Sequence, residues 1–250
     1  MYCVDMNATV SLAVIVSTSI ETSGRLYAFE DVCSNIDCFA ITNELIPSIG
    51  YHQIVVRHTC NSSVQLSRSK YVEGNLRYLL GYSKLQAVVD TEWVLMVDDD
   101  VYIHLDSARF LSGFDSKRPL MFADFADMGS SAFSCGGGGF LMSTTAFRRF
   151  EFARCSHEHV CEHSPPIVYV DHSLHRCLLS YEWLELKKEF VCGTCGNRWD
   201  ESFTKAALVS GQCQFMHNQR SHHPVRYRIQ VSKHRPLVFH RHEEFRFNAH

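Results

Sequence analysis

A chain of 250 residues, 46% hydrophobic and 20% charged, is long enough for one large α/β domain with a substantial core. Its net charge of −3 gives no ground for a nucleic-acid partner, although residues 217–246 are rich in Arg, Lys and His. No apolar run approaches the ~20 residues that a bilayer requires, and Met1 to Ala8 has neither the basic start nor the apolar core of a signal peptide, so no membrane span is expected.

Residues 1–10 read as an amino-terminal extension and residues 11–250 as one domain. Leu12 to Val16 is an apolar strand, and Ser17, Thr18 and Ser19 follow at its carboxyl edge, where a nucleotide would approach the first crossover. Glu21 to Cys33 reads as the next helix. Cys38 to Ile41 forms a second strand ending in Thr42 and Asn43, and Tyr51 to Val56 a third. From Ser69 to Val88 the apolar positions Val72, Leu76, Leu79, Leu80 and Leu85 keep helical spacing and give one buried face. Strands alternating with helices imply a mostly parallel sheet. The paired prolines and polar neighbours of Cys161 to Pro166 mark a flexible loop.

Trp93 to Val97 has no polar side chain and runs straight into Asp98, Asp99 and Asp100. A strand covered on both faces has that composition, and ligands collect beyond the carboxyl ends of such strands. Alternation directs Asp98 and Asp100 to one side and Asp99 to the other. Two carboxylates converging on one point repel each other until one takes a proton or a cation sits between them. Mn2+ or Mg2+ accepts such hard oxygen ligands. The competing reading is a solvated acidic turn.

Gly136 to Gly139 are four consecutive glycines between Cys135 and Phe140. They allow positive φ or close approach of the backbone to a ligand, or else form a hinge without contacts. Farther on, Val168 to Asp171 leads into a helix whose Leu174, Cys177 and Leu178 share a face, with Asp171 at its amino end. A capping Asp explains that position as well as a functional one does. Eleven cysteines exceed cytosolic habit, and Asn7-Ala8-Thr9 and Asn61-Ser62-Ser63 are glycosylation sequons, so a secretory-pathway chain is expected. The odd total leaves at least one thiol free or paired outside the chain. Cys192-Gly193-Thr194-Cys195 has the spacing of a thiol–disulfide motif but is followed by a poor helix start. Cys192, Cys195, Cys213 and His217 also allow a structural zinc site in a binding module.

The acidic triplet followed by Tyr102, the segment Leu105 to Asp115, and Cys135 to Phe140 together resemble the Fringe-type inverting glycosyltransferases. By pattern the sequence is most similar to the core 1 β1,3-galactosyltransferases, from about Ser11 to Phe245 and most strongly from Trp93 to Met142. The resemblance implies an α/β, GT-A-type Rossmann-like fold and a metal-dependent, inverting transfer of a hexose, galactose favoured, from a UDP-sugar to a glycan or glycoprotein hydroxyl through a β1,3 linkage. A Fringe-type β1,3-N-acetylglucosaminyltransferase, or a non-catalytic sugar-binding module, is the alternative.

The same resemblance assigns roles by position. Asp171 falls where these enzymes carry their catalytic base, although Val170 replaces the acidic residue that often precedes it. Asp98, Asp100 and His240 correspond to the Mn2+ ligands, His240 lying in Leu237-Val238-Phe239-His240, with His242 as a substitute. Thr18, Arg25, Arg68 and Asp99 are the expected donor-binding set; Arg25 resembles the basic residue after the first strand of Fringe and Arg68 a uridine-contacting Arg of the core 1 enzymes, where a guanidinium suits a diphosphate, the alternative being two surface arginines. Gly136, Gly137, Gly138 and Gly139 line the donor and acceptor pocket, Gly138 standing where an Ala is usual. Cys155 and Cys177 resemble a disulfide pair, and Cys33 with Cys60 is a second expected bridge. Such enzymes are anchored in the Golgi or ER by an amino-terminal segment, so a trimmed catalytic region, or an incomplete gene product, of a lumenal protein is the expectation.

Overall fold

A computed structural model describes residues 10–47, 49–57, 60, 70–128, 131–162, 167, 169–178, 180–187, 191–192, 215–216 and 237–240. The central sheet begins with β1 (Leu12–Ser17), β2 (Asp37–Thr42), β3 (His52–Val55) and β4 (Trp93–Asp98). It is completed by β6 (Leu120–Met128), β7 (Ser131–Ser143) and β8 (Glu185–Lys187). The strand order is β3-β2-β1-β4-β7-β6-β8. Pairings β1–β2, β1–β4, β2–β3 and β6–β8 are parallel, while β7 runs antiparallel to both β4 and β6. This is a mixed α/β, Rossmann-like arrangement with a mostly parallel sheet, as the alternation of strands and helices led one to expect.

The strands are apolar on both faces because both faces are covered. Ala13 and Ile15 of β1, with Val94 and Met96 of β4, point into the core under α2 (Lys70–Leu85), α3 (Thr144–Arg149), α4 (Phe152–Ser156) and α5 (Val170–Leu178). Helix α2 presents Val72, Leu76, Leu79 and Leu85 to that side as its sequence predicts, but Tyr82 joins them in the core while Leu80, expected on the stripe, is only partly buried at its margin. Gly81 lies so near β2 that an added Cβ would meet the Ile41 side chain at 2.5 Å, so glycine there permits the helix to seat. Val14, Val16, Leu95 and Val97 point the other way, into a core shared with Leu26, Phe29, Phe110, Leu111, Leu237 and Val238. The segment expected as one helix over 21–33 is a 3-10 helix, Ile20–Phe29, followed by a short α1 (Glu30–Cys33), and Leu105–Gly113 is likewise 3-10.

A second sheet joins β5 (Val101–Ile103), β11 (Val238–His240), β10 (Phe215–Met216) and β9 (Val191–Cys192) in that order. Its β5 begins three residues after Asp98, so the two sheets meet at the acidic triplet.

Three disulfides occur among the described residues: Cys33–Cys38, Cys60–Cys161 and Cys155–Cys177. The last is the pair expected. The expected Cys33–Cys60 bridge is incorrect, because Cys38, at the start of β2, lies within disulfide reach of Cys33 at the end of α1, with Cα atoms 5.3 Å apart. Cys60 instead ties the segment after β3 to the end of the helical region before α5, closing a separation of 101 residues. Long loops of this kind remove the most conformational freedom from the unfolded chain.

Candidate functional site

Parallel pairing sets the ends of the central strands level. Ser17 is in register with Asp98 on one side and Ile41 on the other, so the loops after β1, β2 and β4 open at one edge. Alternation then sorts the carboxylates. Asp98 continues the row of Val94 and Met96 and points toward α2, while Asp99 emerges on the opposite side.

Asp99 is 8% exposed and fully engaged. Thr18 Oγ1 donates to its Oδ2 at 2.7 Å, Thr22 donates to the same oxygen, and Arg25 Nη1 donates to Oδ1 at 3.1 Å. Arg25 also lies 4.0 Å from Asp100 Oδ2. Three residues expected to serve the donor, Thr18, Arg25 and Asp99, are thus brought into one hydrogen-bonded group. The Arg25 side chain is 45% exposed, and its Nη1 is held beside both carboxylates. Such a half-exposed ion pair contributes only ~0–1 kcal/mol, which an anionic ligand can offset. Asn43 Oδ1 accepts the Ile20 N–H at 2.9 Å and so pins the start of the loop that carries Thr22 and Arg25. The sequence reading passed over Thr22. Its spacing of four from Thr18, just after a strand, was the available signal.

Asp98 is in the opposite situation. Burial first, and then the charges of Asp100, Asp99 and Asp171, push its carboxyl well above the usual carboxylate range. The influence of Asp171 is itself structural information, since residues 73 apart in sequence act on one another only when the fold brings them together. Tyr78 and Tyr82 of α2 border the same carboxylate. Burial and then Asp98 raise the Tyr78 hydroxyl, while Tyr82 is raised by burial and shares a 3.1 Å hydrogen bond with Ser17 Oγ. Both tyrosines escaped the sequence reading, although two polar-tipped aromatics four apart on a buried stripe mark a polar floor.

Asp171 lies within the first turn of α5, not ahead of it, and its Oδ1 accepts the His172 N–H at 2.9 Å. It therefore satisfies an amide at the helix start, and its charge is the last of those that raise Asp98. Helix α5 is held over the sheet by Asn75 of α2, whose Nδ2 donates to Ser173 Oγ at 2.8 Å and to the Ile167 carbonyl at 2.9 Å.

The glycine run has a geometric reason. In the β6–β7 ladder Ala123 pairs with Phe140 and Asp124 pairs with Cys135, so Gly136 to Gly139 are looped out of register. The β4–β7 ladder stops at Met96 and Phe140, which sets this bulge beside the acidic end of β4. Gly139 has φ 76°, and a Cβ there would stand 2.9 Å from Val97 Cγ1 and 3.1 Å from the Met96 carbonyl oxygen. Only glycine satisfies both demands.

Antiparallel register sets His240 opposite Val101, the residue after Asp100. Its backbone is accordingly at the acidic edge; the His240 side chain lies outside the described residues, as do Arg68, His242, Cys195, Cys213 and His217. Among the described residues no group of three His, Cys, Asp or Glu is arranged to hold a metal. The local chemistry nevertheless fits a divalent cation, because Asp98 and Asp100 offer hard oxygens whose mutual repulsion a cation relieves.

The sequence matches no protein-family model. Among solved structures it is similar to GlyE, a glycosyltransferase of Streptococcus pneumoniae TIGR4, at 12% identity over 73% of this chain and 46% of that one, with a TM-score of 0.45. The chain thus spans just under half the length of GlyE. It is also similar to the galactosyltransferase LgtC in complex with donor and acceptor sugar analogues, at 14% identity over 72% and 74% of the two chains and a TM-score of 0.45. An active-site mutant of LgtC gives 15%, 91%, 86% and 0.47 in the same terms. No helix among the described residues is long and apolar enough to cross a membrane.

Proposed function

We propose that this protein is a metal-dependent, inverting hexosyltransferase that moves a sugar, galactose favoured, from a UDP-sugar to a hydroxyl of a glycan or glycoprotein, forming a β1,3 linkage. The observation that carries the reading is the meeting at one sheet edge of an engaged Thr18–Arg25–Asp99 group, a charge-strained Asp98 and, from a distant helix, Asp171. The glycine bulge beside that edge supports it, by leaving the backbone bare where a sugar would lie.

In this reading Asp98, Asp100 and His240 would hold Mn2+, and the bound cation would supply compensation for the negative charge of the leaving diphosphate. Arg25, positioned at this edge, meets a phosphate oxygen, and Thr18 and Thr22 keep Asp99 oriented so that the guanidinium stays in place. Asp171 takes the proton of the acceptor hydroxyl as that oxygen attacks the anomeric carbon from the face opposite the leaving diphosphate. Positioned proton transfer of this kind contributes roughly 10²- to 10⁴-fold. The three disulfides support residence in an oxidising compartment, the Golgi or ER lumen.

A screen of UDP-sugars for Mn2+-dependent hydrolysis and for transfer to simple glycosides tests the reading. Hydrolysis of one UDP-hexose above the rest, abolished by a chelator, is the expected result. UDP binding that ignores Mn2+, with no turnover of any UDP-sugar, overturns it.

A further inference from the structure

We propose that Tyr169 and Tyr71 form an aromatic platform on which the acceptor stacks the C–H face of a pyranose ring; this rests on the transferase reading above and specifies its second substrate site. Both rings are more than half exposed, Tyr71 at 53% and Tyr169 at 54%, although they sit at the ends of well-buried helices. Their centroids are 5.9 Å apart with planes inclined by 54°, and Tyr169 also meets His172 edge-on at 5.7 Å. The rings therefore brace one another and present a shallow V of aromatic surface to solvent.

The pair is held from below. Asn75 is four residues after Tyr71 on α2, and Ser173 is four after Tyr169 along α5, so the buried Asn75–Ser173 hydrogen bond lies one turn beneath the ring contact. The Tyr169 carbonyl accepts the Ser173 N–H at 3.2 Å, which fixes the backbone of that residue too. A platform held in this way loses little freedom when a ligand settles on it.

Its place suits an acceptor. Tyr169 precedes Asp171 by two residues, and Tyr71 precedes Tyr78, whose hydroxyl feels Asp98, by seven residues, about 10 Å along a helix axis. The crossover from β3 through α2 to β4 runs the helix against the parallel strands, which carries Tyr71 out past the carboxyl edge of the sheet. Aromatic rings with an apolar face and a polar tip suit a pyranose, which has a C–H face and a hydroxyl rim.

Saturation-transfer NMR on the full chain, with methyl β-galactopyranoside and methyl β-glucopyranoside as probes in the presence of UDP and Mn2+, reads this contact without turnover. Tyr169→Ala is expected to weaken binding of the preferred pyranoside roughly 10-fold, equivalent to ~1.4 kcal/mol, with Tyr71→Ala weaker in the same direction. Tyr169→Phe should bind as the wild type does, because the ring face and not the hydroxyl makes the contact. UDP affinity and the circular dichroism spectrum should be unchanged in all three. Wild-type saturation transfer to neither pyranoside, or undiminished transfer in Tyr169→Ala, overturns the platform. So does loss of binding to a peptide acceptor with pyranoside binding intact. Tyr169-dependent pyranoside binding in a protein that turns over no UDP-sugar keeps the platform and removes only the transferase reading.

Discussion

The two halves of the site are built in different ways. The half around β1 and β4 closes on itself: Thr18, Thr22 and Arg25 reach Asp99 through direct hydrogen bonds, all within the first hundred residues and across one pair of parallel strands. The other half is delivered. Asp171 arrives on α5 through Asn75, the glycines arrive on an antiparallel strand that leaves register, and His240 arrives on a three-residue strand of a separate sheet. A self-contained half can be set before any ligand is present, whereas a delivered half depends on long-range packing and is the more sensitive to remote changes.

Replacing Asp171 by Asn probes the delivered half alone. Asn satisfies a helix-start amide about as well as Asp, so melting temperature and UDP-sugar affinity should hold. Turnover with a sugar acceptor should fall by roughly 10²-fold or more if the carboxylate takes the proton. Transfer near the wild-type rate leaves Asp171 with its helix-end role only.

Asp100→Ala breaks the join between the halves. Calorimetry should show Mn2+-dependent UDP binding reduced by at least ~10- to 100-fold, since even outer partners of metal ligands cost that much, while the fold survives. His240→Ala should weaken Mn2+ binding in the same direction and His242→Ala should not; the reverse ranking moves the ligand by two residues.

Gly139→Ala attacks the crossing of the two sheets without touching a charge. Positive φ and the 2.9 Å approach to Val97 together should cost ~1–3 kcal/mol, seen as a melting temperature lowered by about 2–10 °C. An unchanged melting curve places the bulge elsewhere.

The smallest effect is expected from Asp98→Asn in chelator. A carboxyl whose folded pKa lies above its unfolded value destabilises the protein once ionised, so the metal-free wild type loses stability as pH rises from about 4 through the raised Asp98 pKa. The Asn variant lacks that loss. At pH 7 it should melt ~2–4 °C higher than the metal-free wild type, the shift that about 1 kcal/mol produces, and the difference should vanish near pH 4. Equal melting at both pH values removes the charge strain from the site.

Strand and helix identities were legible because burial and period decide them locally. The unbroken apolar runs of β1 and β4 could only be strands covered on both faces, and the stripe on α2 could only be one buried helix face. Asp98 to Asp100 stood out for the same reason, as charges directly abutting such a run. The disulfides were legible only in part. Cys155–Cys177 followed a resemblance, but Cys33 pairs with Cys38 and not Cys60 because the short turn from the end of α1 into β2 returns the chain on itself and brings the two Cα atoms to 5.3 Å.

By itself, then, the sequence determined the α/β architecture, the acidic strand end and the need for glycine near it, since each follows from local burial, charge and backbone freedom. Only the tertiary structure decided that Asp99 belongs to Thr18, Thr22 and Arg25, that Asp171 acts on Asp98, and that Tyr71 stands against Tyr169. Those relations join residues from 73 to 98 positions apart, and they rest on strand register and helix packing, which no local pattern encodes.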